Sequence, residues 1–214
     1  MTERSVFCTD DETTSEGMSP FHQDGFQGPQ KRVLTVFPHL ADSGSEWNCY
    51  ISVGLATDEL KAPLVDEIAQ AGSPLNHKYF LGAENLELWI DNELAGLCRC
   101  RLSSPDEESA LRAGESFMAW VYLDAVFIRP TYQSLGFGER LSEQCVEFVT
   151  NSLLAYIRER YSGYPSIEVV LNADFESEQG ERFFDQMTGN LQRNMEVIAQ
   201  MLKVPIKVST DAGY

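Results

Sequence analysis

From Tyr50 to Leu55 the chain alternates apolar and polar or small side chains (Tyr50-Ile51-Ser52-Val53-Gly54-Leu55), the period-two pattern of a half-buried strand. At Thr57-Asp58-Glu59, a capping residue and two first-turn acids, it gives way to Leu60, Leu64, Val65 and Ile68, which recur at helical spacing. Strand therefore leads directly into helix. Beyond the Gly72-Ser73-Pro74 break, Leu86–Ile90 and Leu94–Leu102 flank the polar turn Asp91-Asn92-Glu93 and read as a hairpin. An acidic, Ser-rich loop from Ser103 to Glu115 precedes another strand, Phe117–Ile128, which Arg129-Pro130 ends because proline removes a ladder donor.

Glycines then open a long helix, about Glu139–Arg160. Leu141, Cys145, Phe148, Val149, Ser152 and Tyr156 follow one face of it, and Val146, Leu153, Leu154 and Ile157 widen that stripe, so the helix is expected to pack on more than one side. Ile167–Leu171 reads as a strand, Phe184, Met187, Leu191, Ile198 and Leu202 as one face of a further helix, and Val204–Val208 as a last strand. No internal repeat interrupts the series. The order of elements predicts a mixed α/β fold, in a domain spanning 47–214. Residues 1–46 are expected to form an acidic extension: 1–28 hold six acids against one base, and Val33–Phe37 is a candidate edge strand that Pro38 stops.

Composition narrows the function classes. With 214 residues, 43% of them hydrophobic, the chain can bury one sizeable core, and no apolar run reaches the length of a membrane span. Met1-Thr2-Glu3-Arg4 does not open a secretory signal, so a cytoplasmic protein with its five cysteines reduced is expected. The net charge of −17 argues against nucleic-acid and anionic-membrane partners and favours cationic ones, although a solvated acidic surface explains it as well. An oligomer is left open. Cys98-x-Cys100 lacks a second pair, and His22, His39 and His77 are scattered, so neither a metal site nor a nucleophilic triad is expected.

The chemistry is expected where strand turns into helix. A helix start presents unpaired amide donors and the positive end of its dipole, and glycines let a backbone approach a diphosphate closely. Gly136-x-Gly138 alone is weak evidence, since any such turn uses glycine for conformational reasons. No Lys-Ser or Lys-Thr follows, which excludes a Walker loop, and the first glycine of a dinucleotide fingerprint is missing.

The wider stretch from Leu123 to Leu141, with Ile128-Arg129-Pro130 followed by Gln133-Ser134-Leu135-Gly136-Phe137-Gly138, resembles the strand, β-bulge and pyrophosphate loop of the GNAT acetyltransferases. In that family the loop reads Gln or Arg, two residues, Gly, one residue, Gly or Ala, after an apolar-x-Pro. The resemblance implies a GNAT acyl-CoA N-acyltransferase fold, a mixed central sheet with a splayed strand pair flanked by helices. It implies that amides from Gln133, Ser134, Leu135, Gly136, Phe137 and Gly138 hold the pyrophosphate of acetyl-CoA. The main chain of Val126, Phe127 and Ile128 would pair with the pantetheine arm, with the Ile128 amide facing the thioester oxygen, a type of contribution worth about 3 kcal/mol in other systems.

Direct attack of an amine on the thioester needs a group to take the amine proton and one to protonate the thiolate. By the resemblance Asp124 takes the first role; a structural acceptor at the bulge is the other reading. Tyr122, on the same strand face, is a second candidate. The family's later motif, Asn-x-x-Ala-x-x-Phe-Tyr, is matched here by Ser177-Glu178-Gln179-Gly180-Glu181-Arg182-Phe183-Phe184, so Phe184 replaces the tyrosine that often protonates the thiolate and Ser177 replaces the asparagine. Asn172 is a candidate pantetheine contact or a capping residue. Glu168, Asp174, Glu176, Glu178, Glu181 and Asp185, with only Arg182 among them, form an expected acidic rim. The expected activity is acetyl transfer from acetyl-CoA to a primary amine of a small molecule or protein. A non-catalytic CoA-binding or protein-interaction module is the alternative.

Overall fold

Asp91 and Asn92 both take left-handed backbone angles, φ 47° and 67°, between the paired residues Ile90 and Glu93. A two-residue loop of that conformation matches the twist of its flanking strands, and short polar side chains tolerate it best. Asp91 also ties the turn to the neighbouring strand, its Oδ1 accepting from the Asn48 amide and its own amide donating to Asn48 O, both at 2.9 Å. The hairpin so closed is the centre of a seven-stranded mixed sheet in a computed structural model that describes residues 32–40, 44, 46–70, 77–81, 85–103, 116–160 and 164–213. The acidic arm over 1–28, the Gly72-Ser73-Pro74 break and all but the first residue of the Ser103–Glu115 loop lie outside the described residues.

The strands lie in chain order: β1 (Arg32–Leu40), β2 (Glu46–Val53), β3 (Leu86–Ile90), β4 (Glu93–Ser103), β5 (Phe117–Ile128), β6 (Ile167–Asp174) and β7 (Ile206–Gly213). Pairing is antiparallel from β1 to β5 and parallel from β5 to β7. Helix α1 (Asp58–Gln70) packs Leu64 and Ile68 with Phe80, Trp89, Leu94 and Leu97 on one face. Helices α2 (Phe137–Arg160) and α3 (Glu178–Leu202) cover the other, where Leu141, Cys145, Val149, Leu153, Met187 and Leu191 meet the inward residues of β2 to β6. The wide stripe of α2 has a use on both sides: Cys145 Sγ lies 4.0 Å from Cys98 Sγ on the sheet and 3.9 Å from Met187 Sδ on α3. Cys49, Cys98, Cys100 and Cys145 are buried free thiols, and burial together with Asp91 pushes Cys49 up to about 11.

Three local features depart from the periodicity. β1 runs through Pro38, which pairs opposite Asn48; β1 is an edge strand, where a missing amide can face outward. Glu87, in β3, is fully buried and accepts from Ser52 Oγ at 2.7 Å and from the Leu55 and Ala56 amides at 2.9 Å, which fixes the link from β2 into α1. In β5, Arg99 pairs with Ala125 and Cys100 with Leu123, so Asp124 is an extra residue, a β-bulge. The bulge exchanges the faces of the strand. Phe117, Ala119, Val121 and Leu123 point toward α2 and α3; past it Val126 and Ile128 do so, while Ala125 joins the α1 side.

Gly96 sets how closely β4 approaches this last part of β5. A Cβ there would stand 2.8 Å from Phe127 O and 3.1 Å from Ile128 Cγ1, and the first of these is backbone that cannot swing away. Gly96→Ala is expected to lower stability by about 1–3 kcal/mol, the usual cost of overpacking. Denaturant unfolding checks it: an unchanged midpoint would mean that β5 can shift freely.

No described helix is long and apolar enough to cross a membrane. Among the described residues no group of three or more His, Cys, Asp or Glu could hold a metal ion.

Candidate functional site

β5 and β6 part company before either ends. Their last paired residues are Tyr122 and Asn172; β5 continues to Ile128 with β4 as its only strand partner among the described residues, while β6 stays with β7 as far as Asp174. The direction of the open backbone groups follows from one hydrogen bond. Arg129 N donates to Ala95 O at 2.9 Å, so these two form a bonded antiparallel pair, and the next pair along, Ile128 with Gly96, is a non-bonded one. The N–H and C=O of Ile128 consequently point away from β4, into the gap. Two residues back, Val126 opposite Cys98 does the same.

A cleft of about 780 Å³ occupies the gap. One wall is Val126, Phe127 and Ile128; Gln133, Ser134, Gly136 and Gly138 close one end, and Ser177, Gly180, Arg182 and Phe183 of the α3 start form the opposite side.

The end wall owes its shape to two left-handed residues, Ser134 (φ 63°) and Gly136 (φ 83°), which follow a short 3-10 turn over Pro130–Tyr132 and reverse the chain into α2. Phe137, between the two glycines, turns away from the cleft. It is 1% exposed, with ring centroids 4.5 Å from His39, 6.3 Å from Trp47, 6.4 Å from Tyr132 and 6.5 Å from Phe37. Edge strand β1 thus anchors the helix start. The first ladder bond of α2 runs from the Arg140 amide to Gly136 O, leaving the Phe137, Gly138 and Glu139 amides ahead of it, and Gly136 has no side chain to cap them. The start of α3 meets the same cleft, with one amide taken internally: Ser177 Oγ accepts from Gly180 N at 3.1 Å. Two positive dipole ends therefore converge on one space.

Of the residues marked by the sequence, Val126, Phe127, Ile128, Gln133, Ser134, Gly136, Gly138 and Ser177 line the cleft. Leu135 packs half-buried against the core, and Phe137 against the aromatic group. Asn172 lies outside the lining, its amide 3.4 Å from Asp211 Oδ2. Asp124 and Tyr122 also lie outside it but are brought together by Arg101, whose guanidinium grips both Asp124 oxygens, at 2.5 and 2.7 Å, and lies 5.1 Å from the Tyr122 ring centroid. Arg99 Nε is 3.3 Å from the same carboxylate. The hydrogen bond to Asp124, opposed by burial, raises the Arg101 pKa above its ordinary value. Phe184 is buried edge-on to Phe175, whereas its neighbour Phe183 lines the cleft.

Within the expected acidic rim, Glu176 and Arg182 reach the cleft, and Arg182 stands 3.7 Å from Glu178. Glu168 pairs instead with Lys207 at 2.9 Å, which holds its carboxyl below the usual range. The partners of Asp124 carried a signal that periodicity alone did not use: Arg99-x-Arg101 places two cations on one face of β4. No family model matches the chain, and no curated protein matches it in sequence.

Proposed function

We propose that the chain is a GNAT-type N-acyltransferase that binds acetyl-CoA in the cleft between β5 and β6 and passes its acyl group to a primary amine. One observation carries the reading: the backbone groups of Val126 and Ile128 open into a cleft that ends on the amides at the start of α2. A diphosphate on the Phe137, Gly138 and Glu139 amides and an extended arm along β5 would use both features at once. The Ile128 N–H is then the donor for the thioester oxygen as it becomes an oxyanion.

Tyr122 and Asp124 stand where β5 leaves β6 and belong to the side of the incoming amine. With both oxygens on Arg101, Asp124 is suited to orienting charge at the bulge, and water in the cleft carries the amine proton away. The second reading, a CoA-binding module without turnover, is favoured by Phe184, whose ring is packed in the core and has no hydroxyl to offer the leaving thiolate.

Acetyl-CoA at about 100 times its Kd should stabilise the fold by about 2.7 kcal/mol under either reading. Thiol release over a panel of polyamines, amino acids and amino-terminal peptides then separates them, since only the enzyme liberates CoA. A melting temperature that acetyl-CoA leaves in place would remove the basis of both.

A further inference from the structure

The Ile128 carbonyl turned into the gap is already occupied. Gln133 Nε2 donates to Ile128 O at 2.7 Å, and both residues line the cleft. A strand-edge carbonyl with no neighbouring strand takes a donor from water or from whatever polar group reaches it. Here the donor is a primary amide, chemically close to the secondary amides of an extended acyl-carrying arm. Gln133 is exposed, so the bond can open without disturbing the core. It also leaves the chain at the residue just before Ser134, where the left-handed turn begins, so the side chain spans from the anion-binding loop to the end of β5.

We propose that Gln133 is an internal competitor for the ligand's amide: it holds the Ile128 carbonyl in the free protein and yields it to an incoming amide N–H. It is thereby a specificity-determining residue for ligands that carry an amide along β5. This rests on the acyl-CoA reading of the cleft. A ligand that reaches only the helix start never meets the competitor, whereas one that extends along β5 must replace one hydrogen bond with another and gains less than the bare edge would give.

The test is calorimetric titration of the unaltered chain, Gln133→Ala and Gln133→Met with two probes. CoA carries the pantetheine amides; adenosine 3′-phosphate 5′-diphosphate carries the nucleotide and diphosphate without them. The expected result is CoA binding tightened about threefold to tenfold in both variants, the worth of one net hydrogen bond, with the nucleotide unchanged. Gln133→Met keeps the side-chain length without the donor, so agreement between the variants excludes an effect of empty space. Equal weakening toward both probes would make Gln133 a staple of the loop and overturn the inference, as would no change at all. If the unaltered chain does not bind CoA, the acyl-CoA reading falls and the inference falls with it; binding that Gln133→Ala leaves untouched overturns the inference alone.

Discussion

On the acyl-CoA reading, Gly138→Glu is expected to abolish the stabilisation that acetyl-CoA brings while leaving the free protein as stable as before. Gly138 lies in the first turn of α2 with ordinary helical backbone angles, and a Cβ there finds its nearest neighbour, Ile128 Cδ1, at 3.9 Å. An acid in the first turn of a helix is favoured by the dipole, so folding loses nothing by the change. Binding is another matter, because the new carboxylate enters the cleft beside the amides on which the diphosphate would rest. Two unit charges about 4 Å apart at an effective dielectric near 20 repel by about 4 kcal/mol, roughly a thousandfold in affinity.

At a concentration that stabilises the unaltered chain by about 2.7 kcal/mol, its melting temperature should rise by about 5–10 °C, and that of Gly138→Glu by nothing measurable. A scan with and without ligand settles it. If the variant shows the full rise, the ligand sits elsewhere and the α2 start is an ordinary turn.

The geometry of this candidate site was legible in part because glycine and proline carry backbone meaning that does not depend on the rest of the fold. Pro130 ends β5 at Ile128, where the sequence places the end, and Gly136 takes the left-handed angle for which the turn needs a glycine. The hairpin at Asp91-Asn92 was legible for the same reason. Residues whose meaning comes from tertiary partners were less so. Phe137 reads as one more loop position until β1 lays Phe37 and His39 against it, and nothing in the spacing of β1 foretells that. Asn172 was marked by its place at the end of a strand and Ser177 by a motif spacing; the fold ties one to Asp211 and makes the other both the cap of α3 and part of the cleft wall. Asp124 shows the limit most clearly. Its place at a bulge follows from the strand, but what holds its charge comes from β4, far away in sequence.

Asp124→Asn should therefore act on stability more than on chemistry. The substitution keeps the shape and removes the charge that Arg101 grips with two hydrogen bonds, in a place where the Asp124 side chain is 7% exposed and that of Arg101 28%. Breaking a fully buried pair costs about 3–5 kcal/mol and an exposed one about 0–1. This pair lies between them, so a loss of about 2–3 kcal/mol is expected, or a melting temperature lower by about 5–10 °C. On the acyltransferase reading, in which water takes the amine proton, turnover measured well below that temperature should fall by less than about tenfold.

Loss of a general base gives the opposite pattern: turnover lower by about a hundredfold to ten-thousandfold, with the acidic limb that its protonation imposes on the pH profile flattened and the melting temperature nearly in place. The pair Arg101→Met with Asp124→Leu separates the two further. Apolar replacement of Arg101 and Asp124 together should recover part of the stability lost by Asp124→Asn, since a half-buried ion pair adds little over good packing, while Arg99 loses the carboxylate and keeps its bond to Tyr79 O. Recovered stability with turnover lower by about a hundredfold or more would return Asp124 to the role of base, and recovered stability with turnover largely kept would leave it as the residue that holds the bulge in shape.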